Sequence, residues 1–364
     1  MRFIKVAQPI GSDENMKNFP KILLAFALLS CEVSKPLDPP DMPMAVSNNA
    51  VVGIQVDGKD YVYSFGGIGT GKTHVDITLR SFKYSVEESL WTEIASLPDT
   101  MGKIASAASV VKGKIYIIGG YYVFPDGHEK SSAKVHIYDP STDQFLEDGA
   151  DLPTPIDDHV QAVWQDSLIY VATGWSDSLN VNTVQVYTPG KHWHYATSLP
   201  DEANWKVFGS SGVIVDDDIY FLGGAGNRED GNFPIKSYLR IGHINPENPL
   251  DIEWEAAESD LARIYRPAAI EINGQPHWIG GSSKSYNYNG IAYTGEKVNP
   301  VTTARFFNSE NGKMKLAEFQ VPEAMDLRGI AELSNGDLMI VGGMTKGQIV
   351  SNKVHLINFN GSEE

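Results

Sequence analysis

A short signature returns six times along the chain, and no other feature limits the possible folds as tightly. An alternating segment enters a tight turn, continues as an aromatic-rich apolar run and ends on paired glycines. The copies read GIQVDGKDYVYSFGG ending at Gly67, SVVKGKIYIIGG at Gly120, AVWQDSLIYVATG at Gly174, GVIVDDDIYFLGG at Gly224, IEINGQPHWIGG at Gly281 and AELSNGDLMIVGG at Gly343. The first residues of the doublets, with Thr173 standing in once, lie 53, 54, 50, 57 and 62 residues apart. Each copy reads as two strands joined by a hairpin whose turn residues accept positive φ: Asp57-Gly58, Lys112-Gly113, Asp166-Ser167, Asn273-Gly274 and Asn335-Gly336. A third strand follows, as in KVHIYDP from Lys134, VQVYTP from Val184 and KVHLINF from Lys353. The fourth carries a tryptophan and then Leu-Pro, with Trp91 before Pro98 and Trp193 before Pro200 at the same interval of seven. Six units of four antiparallel strands, with no helical period, predict an all-β, six-bladed β-propeller.

The last repeat stops after its third strand, at Asn360, so its fourth strand must come from elsewhere. Asp41-Met42-Pro43 precedes the Gly66 doublet by 23 residues, as Leu199-Pro200 precedes Gly223. Residues around 33 to 43 are therefore expected to close the ring as the outer strand of the sixth blade. One domain, 41–364, holds the propeller, and 32–40 is a Pro-rich tether leading into the closing strand.

The chain ahead of that tether reads as a leader. Lys17 and Lys21 precede an apolar run from Ile22 to Leu29, too short to span a bilayer as a helix but suited to a signal peptide. Leu28-Leu29-Ser30-Cys31 resembles the lipobox of bacterial lipoproteins, in which the cysteine is lipidated and becomes the new N-terminus. Met16 reads as the start, so 1–31 comprises a short extension and the signal peptide. The resemblance implies an extracytoplasmic protein anchored to a membrane through lipid on Cys31, at the outer membrane on its periplasmic or cell-surface side. Cys31 is also the chain's one cysteine, which leaves no internal disulfide and no cysteine-based zinc site.

Other motifs yield to the repeat. FGGIGTGKT satisfies the phosphate-loop pattern at Gly66, Gly71, Lys72 and Thr73. A phosphate loop must open a helix whose first amides hold the phosphates, whereas HVDITLRSFKY, which follows, alternates like a strand. No nucleotide is expected, and a net charge of −17 argues against nucleic acid. His192 and His194 share a strand face around the repeat tryptophan Trp193 and read as solvent-facing rather than metal-binding. No metal and no cofactor are expected.

The doubled glycine, the Tyr-Asp of IYDPSTDQF and the spaced tryptophan resemble the kelch repeat over about residues 40 to 360. Blade 3 departs with Thr173-Gly174, and blades 5 and 6 lack the spaced tryptophan. Copper-radical oxidases that share the repeat need a cysteine crosslinked to tyrosine, and Cys31 is unsuited to it. Six-bladed bacterial kelch proteins of this size are similar to the sialic acid mutarotases, which implies acid–base chemistry at an anomeric centre with cations holding a carboxylate.

Strand direction puts the links between blades, and the loops after the double glycines, on one face, where propeller ligands converge. The links supply Asn48 and Asn49, Lys103, Asp157 with Asp158 and His159, Trp205 and Lys206, Arg263 with Tyr265 and Arg266, and Arg328. The loops add Tyr121, Tyr122, Phe124, Tyr286, Tyr288 and Tyr293. Cations beside aromatic rings suit a sugar bearing a carboxylate. The ligand-binding candidates are Lys103, Lys206, Tyr265, Arg266, Arg328, Tyr121 and Trp205. Two functions stay open: a module binding an anionic glycan or a protein partner, or an enzyme on acidic sugars. As a mutarotase, the enzyme would use His159 or Asp158 to shuttle the proton. A lyase on uronates, using His159 and Tyr265, is a third reading.

Overall fold

The computed structural model describes residues 38–358, which form six antiparallel sheets arranged as propeller blades. In blade 1 the strands Ala50–Val56, Lys59–Phe65, Ser81–Ser85 and Leu90–Ile94 pair in chain order. Blades 2 to 5 keep that order, with first strands Ile104–Val111, Val160–Trp164, Ser211–Val215 and Ala268–Ile272. First strands of successive blades touch each other and line a central channel, which leaves the fourth strands outermost.

The apolar runs lack strict alternation because each second strand is covered on both faces. In Lys114–Val123, Ile115 and Ile117 pack with Tyr63, Phe65 and Tyr138, while Tyr116 and Ile118 pack with Ile169, Val171 and Trp193 of blade 3. Successive residues thus feed two different interblade cores, as in any sheet packed between two others. The tryptophans fasten neighbouring blades. Trp193 Nε1 donates to the Ala150 carbonyl at 2.7 Å and Trp254 Nε1 to Thr197 at 3.1 Å, each reaching the preceding blade's outer edge.

Trp91 makes the equivalent bond to Pro40 at 2.9 Å. The Met42 amide donates to the Asn352 carbonyl at 2.8 Å, as the Leu152 amide does to Ala133 and the Leu199 amide to Asn182. Pro40 and Met42 therefore stand in blade 6 where Ala150 and Leu152 stand in blade 2. Among the described residues that blade holds three strands, Ala331–Glu332, Leu338–Val341 and Val354–Ile357. Residues 38–43 carry these bonds without forming a strand, and the rest of the expected closing segment, with the leader and Cys31, lies outside the described residues.

Local geometry departs from expectation at three places. After Thr73 the chain makes a 3-10 turn, His74–Asp76, because the Asp76 carboxylate accepts from the Thr73 amide at 3.0 Å. The expected strand begins only at Ser81, and Lys72 Nζ donates to the Gln348 carbonyl at 2.9 Å. In blade 3 the turn residues with positive φ are Gln165 and Asp166, and Trp164 pairs with Leu168 across a three-residue loop. In blade 6 Glu332 pairs with Leu338, so the Asn335-Gly336 turn sits inside a longer loop.

The second glycine of a doublet has a steric reason. Gly120 has φ of +87°, and a Cβ there would lie 2.6 Å from the Ile104 carbonyl. Gly120→Ala should cost about 1–3 kcal/mol of stability through backbone strain, read as a lower urea midpoint at unchanged slope. A change within about 0.5 kcal/mol, the size of an ordinary surface substitution, would mean that the doublet has no such constraint.

Candidate functional site

The mouth is organised by one backbone position in each inter-blade link. Asn48, Ala105, Asp158, Gly209, Arg266 and Asp326 all have φ between 47° and 65°. Around this ring the amides of Ala105, Asp158, Gly209 and Arg266 each donate to the carbonyl of the preceding member, at 3.4, 3.2, 2.8 and 2.7 Å. The Leu327 amide donates to the Arg266 carbonyl at 3.2 Å, and the Asn48 amide closes the circle on the Asp326 carbonyl at 3.1 Å. Left-handed backbone at five non-glycine residues persists because the closed circle dictates it. Gly209 meets a second demand, since a Cβ there would lie 2.1 Å from the Tyr265 ring.

The side chains of this ring form a buried ionic floor. Arg266 Nε donates to Asp158 Oδ1 at 2.9 Å, Nη2 donates to Asp158 Oδ2, and Nη1 donates to Asp326 Oδ1 at 2.7 Å. Ser47 Oγ donates to Asp326 Oδ2 at 2.5 Å. The Arg266 guanidinium lies 5.1 Å from the Tyr265 ring centre and 5.5 Å from that of Tyr286. Burial raises the Asp326 carboxyl, against the opposing pull of Arg266.

Above the floor opens a cup lined by Tyr121, Glu129, Asp157, Asp158, Trp175, Phe208, Phe233, Arg266, Asn287 and Tyr293. It is off-centre, because these residues belong to blades 2 to 5. Phe208, Trp175 and Phe233 meet edge to face at 5.4–5.6 Å, and Tyr293 continues the wall 4.5 Å from Phe233. The polar side is acidic. Burial and then the adjacent Asp158 carboxylate push Asp157 well above the usual carboxylate range, although Ser131 Oγ donates to it at 2.6 Å. Burial also raises Glu129, against Arg266. Burial raises the Tyr121 and Tyr293 hydroxyls, keeping both phenols protonated. Two carboxyls whose protonated forms burial favours thus face an aromatic wall, a pairing that serves general acid–base chemistry.

The floor separates this cup from a cavity in the channel, lined among others by His159, Gln161, Ser211 and Arg328. Arg328 Nη2 donates to the His159 carbonyl at 2.8 Å, and His159 Nε2 lies 3.1 Å from Gln161 Oε1. Burial, and then Arg328, depress the His159 pKa from 6.5 to about 3. Between those values the unfolded chain binds a proton that the native chain refuses, so this histidine lowers stability as pH falls. The effect is about 1.4 kcal/mol per pH unit. Relative to His159→Gln, the wild type should lose stability with that slope between about pH 6 and pH 4, measured by urea unfolding. Parallel profiles for the two proteins would mean that His159 is hydrated in the folded state.

Of the residues singled out in the sequence, the cup thus brings together Tyr121, Asp157, Asp158, Arg266 and Tyr293. Tyr265 lies beneath, its hydroxyl donating to the Tyr286 carbonyl at 3.3 Å. Lys103 is buried with Nζ 3.3 Å from Asp99, and burial lowers its pKa to about 8. Lys206 pairs with Asp201 at 2.7 Å, and Trp205 packs in the core between blades 3 and 4. The left-handed turn explains the sorting. Only residues at the turn, or just before it, face the mouth, while those farther upstream point between blades and those following descend the channel. Glu129, Trp175, Phe208, Phe233 and Asn287 were not among the sequence candidates. Phe208 precedes the left-handed Gly209 as Asp157 precedes Asp158, but the two stand 15 and 16 residues ahead of their doublets, so the repeat register alone does not align them, and Glu129, Phe233 and Asn287 sit in loops of unequal length.

The His192 and His194 rings are 4.5 Å apart and exposed. Among the described residues no cluster of three metal-binding side chains occurs.

Comparison with known proteins agrees with this architecture. The kelch motif matches residues 105–147, which span blade 2. Kelch-like protein terF of Aspergillus terreus is 28% identical over 191 residues, a match covering 49% of this chain and only 39% of that protein. N-acetylneuraminate epimerase 1 of Escherichia coli O6:H1 is 23% identical over 346 residues, covering 81% of this chain and 88% of that protein. The solved structure of YjhT superimposes with a TM-score of 0.66 at 17% identity, over 88% of this chain and 99% of that one. The fold is a six-bladed kelch-type propeller, distantly similar to that epimerase.

Proposed function

We propose that the cup binds one sugar ring and interconverts its anomers, making this chain a mutarotase- or epimerase-type isomerase. The observation that carries the reading is the convergence of Glu129 and Asp157 on a cavity walled by Trp175, Phe208, Phe233 and Tyr293. Rings of this kind stack on the apolar face of a sugar, and carboxyls bind its hydroxyls. Anomer exchange needs a proton delivered to the ring oxygen while another leaves the anomeric hydroxyl. The ring opens, the carbonyl turns and the steps reverse. Asp157, buried and held neutral, suits the donor, and the less enclosed Glu129 suits the acceptor. Arg266, itself anchored by Asp326, holds Asp158 beneath them and keeps its charge beside Asp157. Similarity to an N-acetylneuraminate epimerase over most of both chains supports a sugar as the substrate and an isomerase-type reaction.

Glycan binding without chemistry is the second reading. The cup continues past Phe233 into a groove lined by Arg263, Lys284, Ser285, Thr294 and Glu296, long enough to follow a larger glycan. Either way, we propose that the propeller is carried outside the cytoplasm on lipid at Cys31, so Cys31→Ser should release it from membranes.

The two readings part in an NMR experiment on the purified protein with freshly dissolved reducing sugars. Faster exchange between anomeric signals supports the isomerase, and saturation transfer alone supports the binder. Neither effect with any sugar would end both.

A further inference from the structure

We infer that the sugar this cup accepts carries no acidic group, an inference that rests on the sugar reading above. The cup is lined by one cation, Arg266, and three carboxyls, Glu129, Asp157 and Asp158. That cation is fully engaged. Its Nε and Nη2 grip Asp158, its Nη1 holds Asp326, and the rings of Tyr265 and Tyr286 lie beside the guanidinium. With 2% of its side chain exposed, it offers a ligand carboxylate little surface, and its charge is already shared between Asp158 and Asp326.

No other cation of the links lines the cup, and Arg263 stands exposed in the outer groove. Arg328 lines the channel on the far side of the floor, Lys103 lies 3.3 Å from Asp99, and Lys206 is paired with Asp201. Lys284, in the outer groove, pairs with Glu296 at 2.6 Å. A carboxylated sugar would therefore bring its charge against Asp158 and Glu129 with no free cation lining the cup, a like-charge contact that interfaces use to reject ligands. The groups lining the cup suit an uncharged ring instead. The Glu129 carboxyl, the Tyr121 and Tyr293 hydroxyls and the Asn287 amide match sugar hydroxyls and N-acyl groups, and the aromatic wall matches the ring face.

The test uses the full chain and pairs of ligands that differ only in the acid. These are glucose against glucuronate, and the methyl ester of N-acetylneuraminate against N-acetylneuraminate, titrated by ligand-observed NMR at neutral pH. In each pair that binds, the uncharged member should bind about tenfold tighter or more. Glu129→Gln, which removes one carboxyl from a partly exposed position, should narrow that ratio, with circular dichroism confirming an unchanged fold. Equal or tighter binding of the acidic members would overturn the inference and leave the sugar reading standing. No binding of any sugar would remove the sugar reading, and this inference with it.

Discussion

Arg266→Ala is expected to destabilise the propeller by about 3–5 kcal/mol, the cost of leaving buried charges without their partner. Asp158 and Asp326 are both about as buried as Arg266 and both hydrogen-bond to it. Removing the guanidinium strands two carboxyls under the cup, and their protonation then becomes the easier way to fold. The variant should accordingly gain stability relative to the wild type as pH falls through the carboxylate range. Urea unfolding at two pH values checks both parts. Replacing the triad together, as Arg266→Met with Asp158→Asn and Asp326→Asn, should cost less than the single change, because neither carboxylate is left buried without its partner. A single variant as stable as the wild type would mean that water reaches the ionic floor and already screens it.

Asp157→Asn carries the largest expected effect on activity. If Asp157 delivers the proton to the ring oxygen, anomer exchange should fall by about 10²–10⁴-fold, the usual contribution of a positioned acid or base. Stability should change little, since an amide resembles the neutral carboxyl that burial already favours and its oxygen can still accept from Ser131 Oγ. The contrast separates chemistry from architecture, and binding of the uncharged sugar should survive. A rate within about threefold of wild type, too small for a lost proton donor, would move the acid role to Glu129, whose Glu129→Gln variant should then show the loss instead.

Much of the fold is legible in the chain. Five double glycines and Thr173-Gly174 set the blade count, and Trp91 and Trp193, each with the Leu-Pro that follows, mark outer strands. Even the place of Met42 as counterpart of Leu199 follows from a spacing of 23 residues. The site was less legible. Lys103, Asp158, Lys206, Arg266 and Arg328 stand in equivalent links, and in sequence each looks equally able to reach the mouth. One left-handed residue per link decides which of them do, and adjacent positions on either side of it face different compartments.

Sequence alone therefore determined the six-bladed architecture, because blade formation depends on local patterns: alternation, turn residues with positive φ and a strand covered on both faces. The tertiary structure decided which charges cancel. Arg266 lies 108 residues from Asp158 and 60 from Asp326, and the closed hydrogen-bonded circle of the links brings them together. A motif at fixed spacing cannot encode that circle, since ring closure joins one end of the chain to the other. An apparent ring of free cations thus becomes an acidic, aromatic cup whose one arginine is already spoken for.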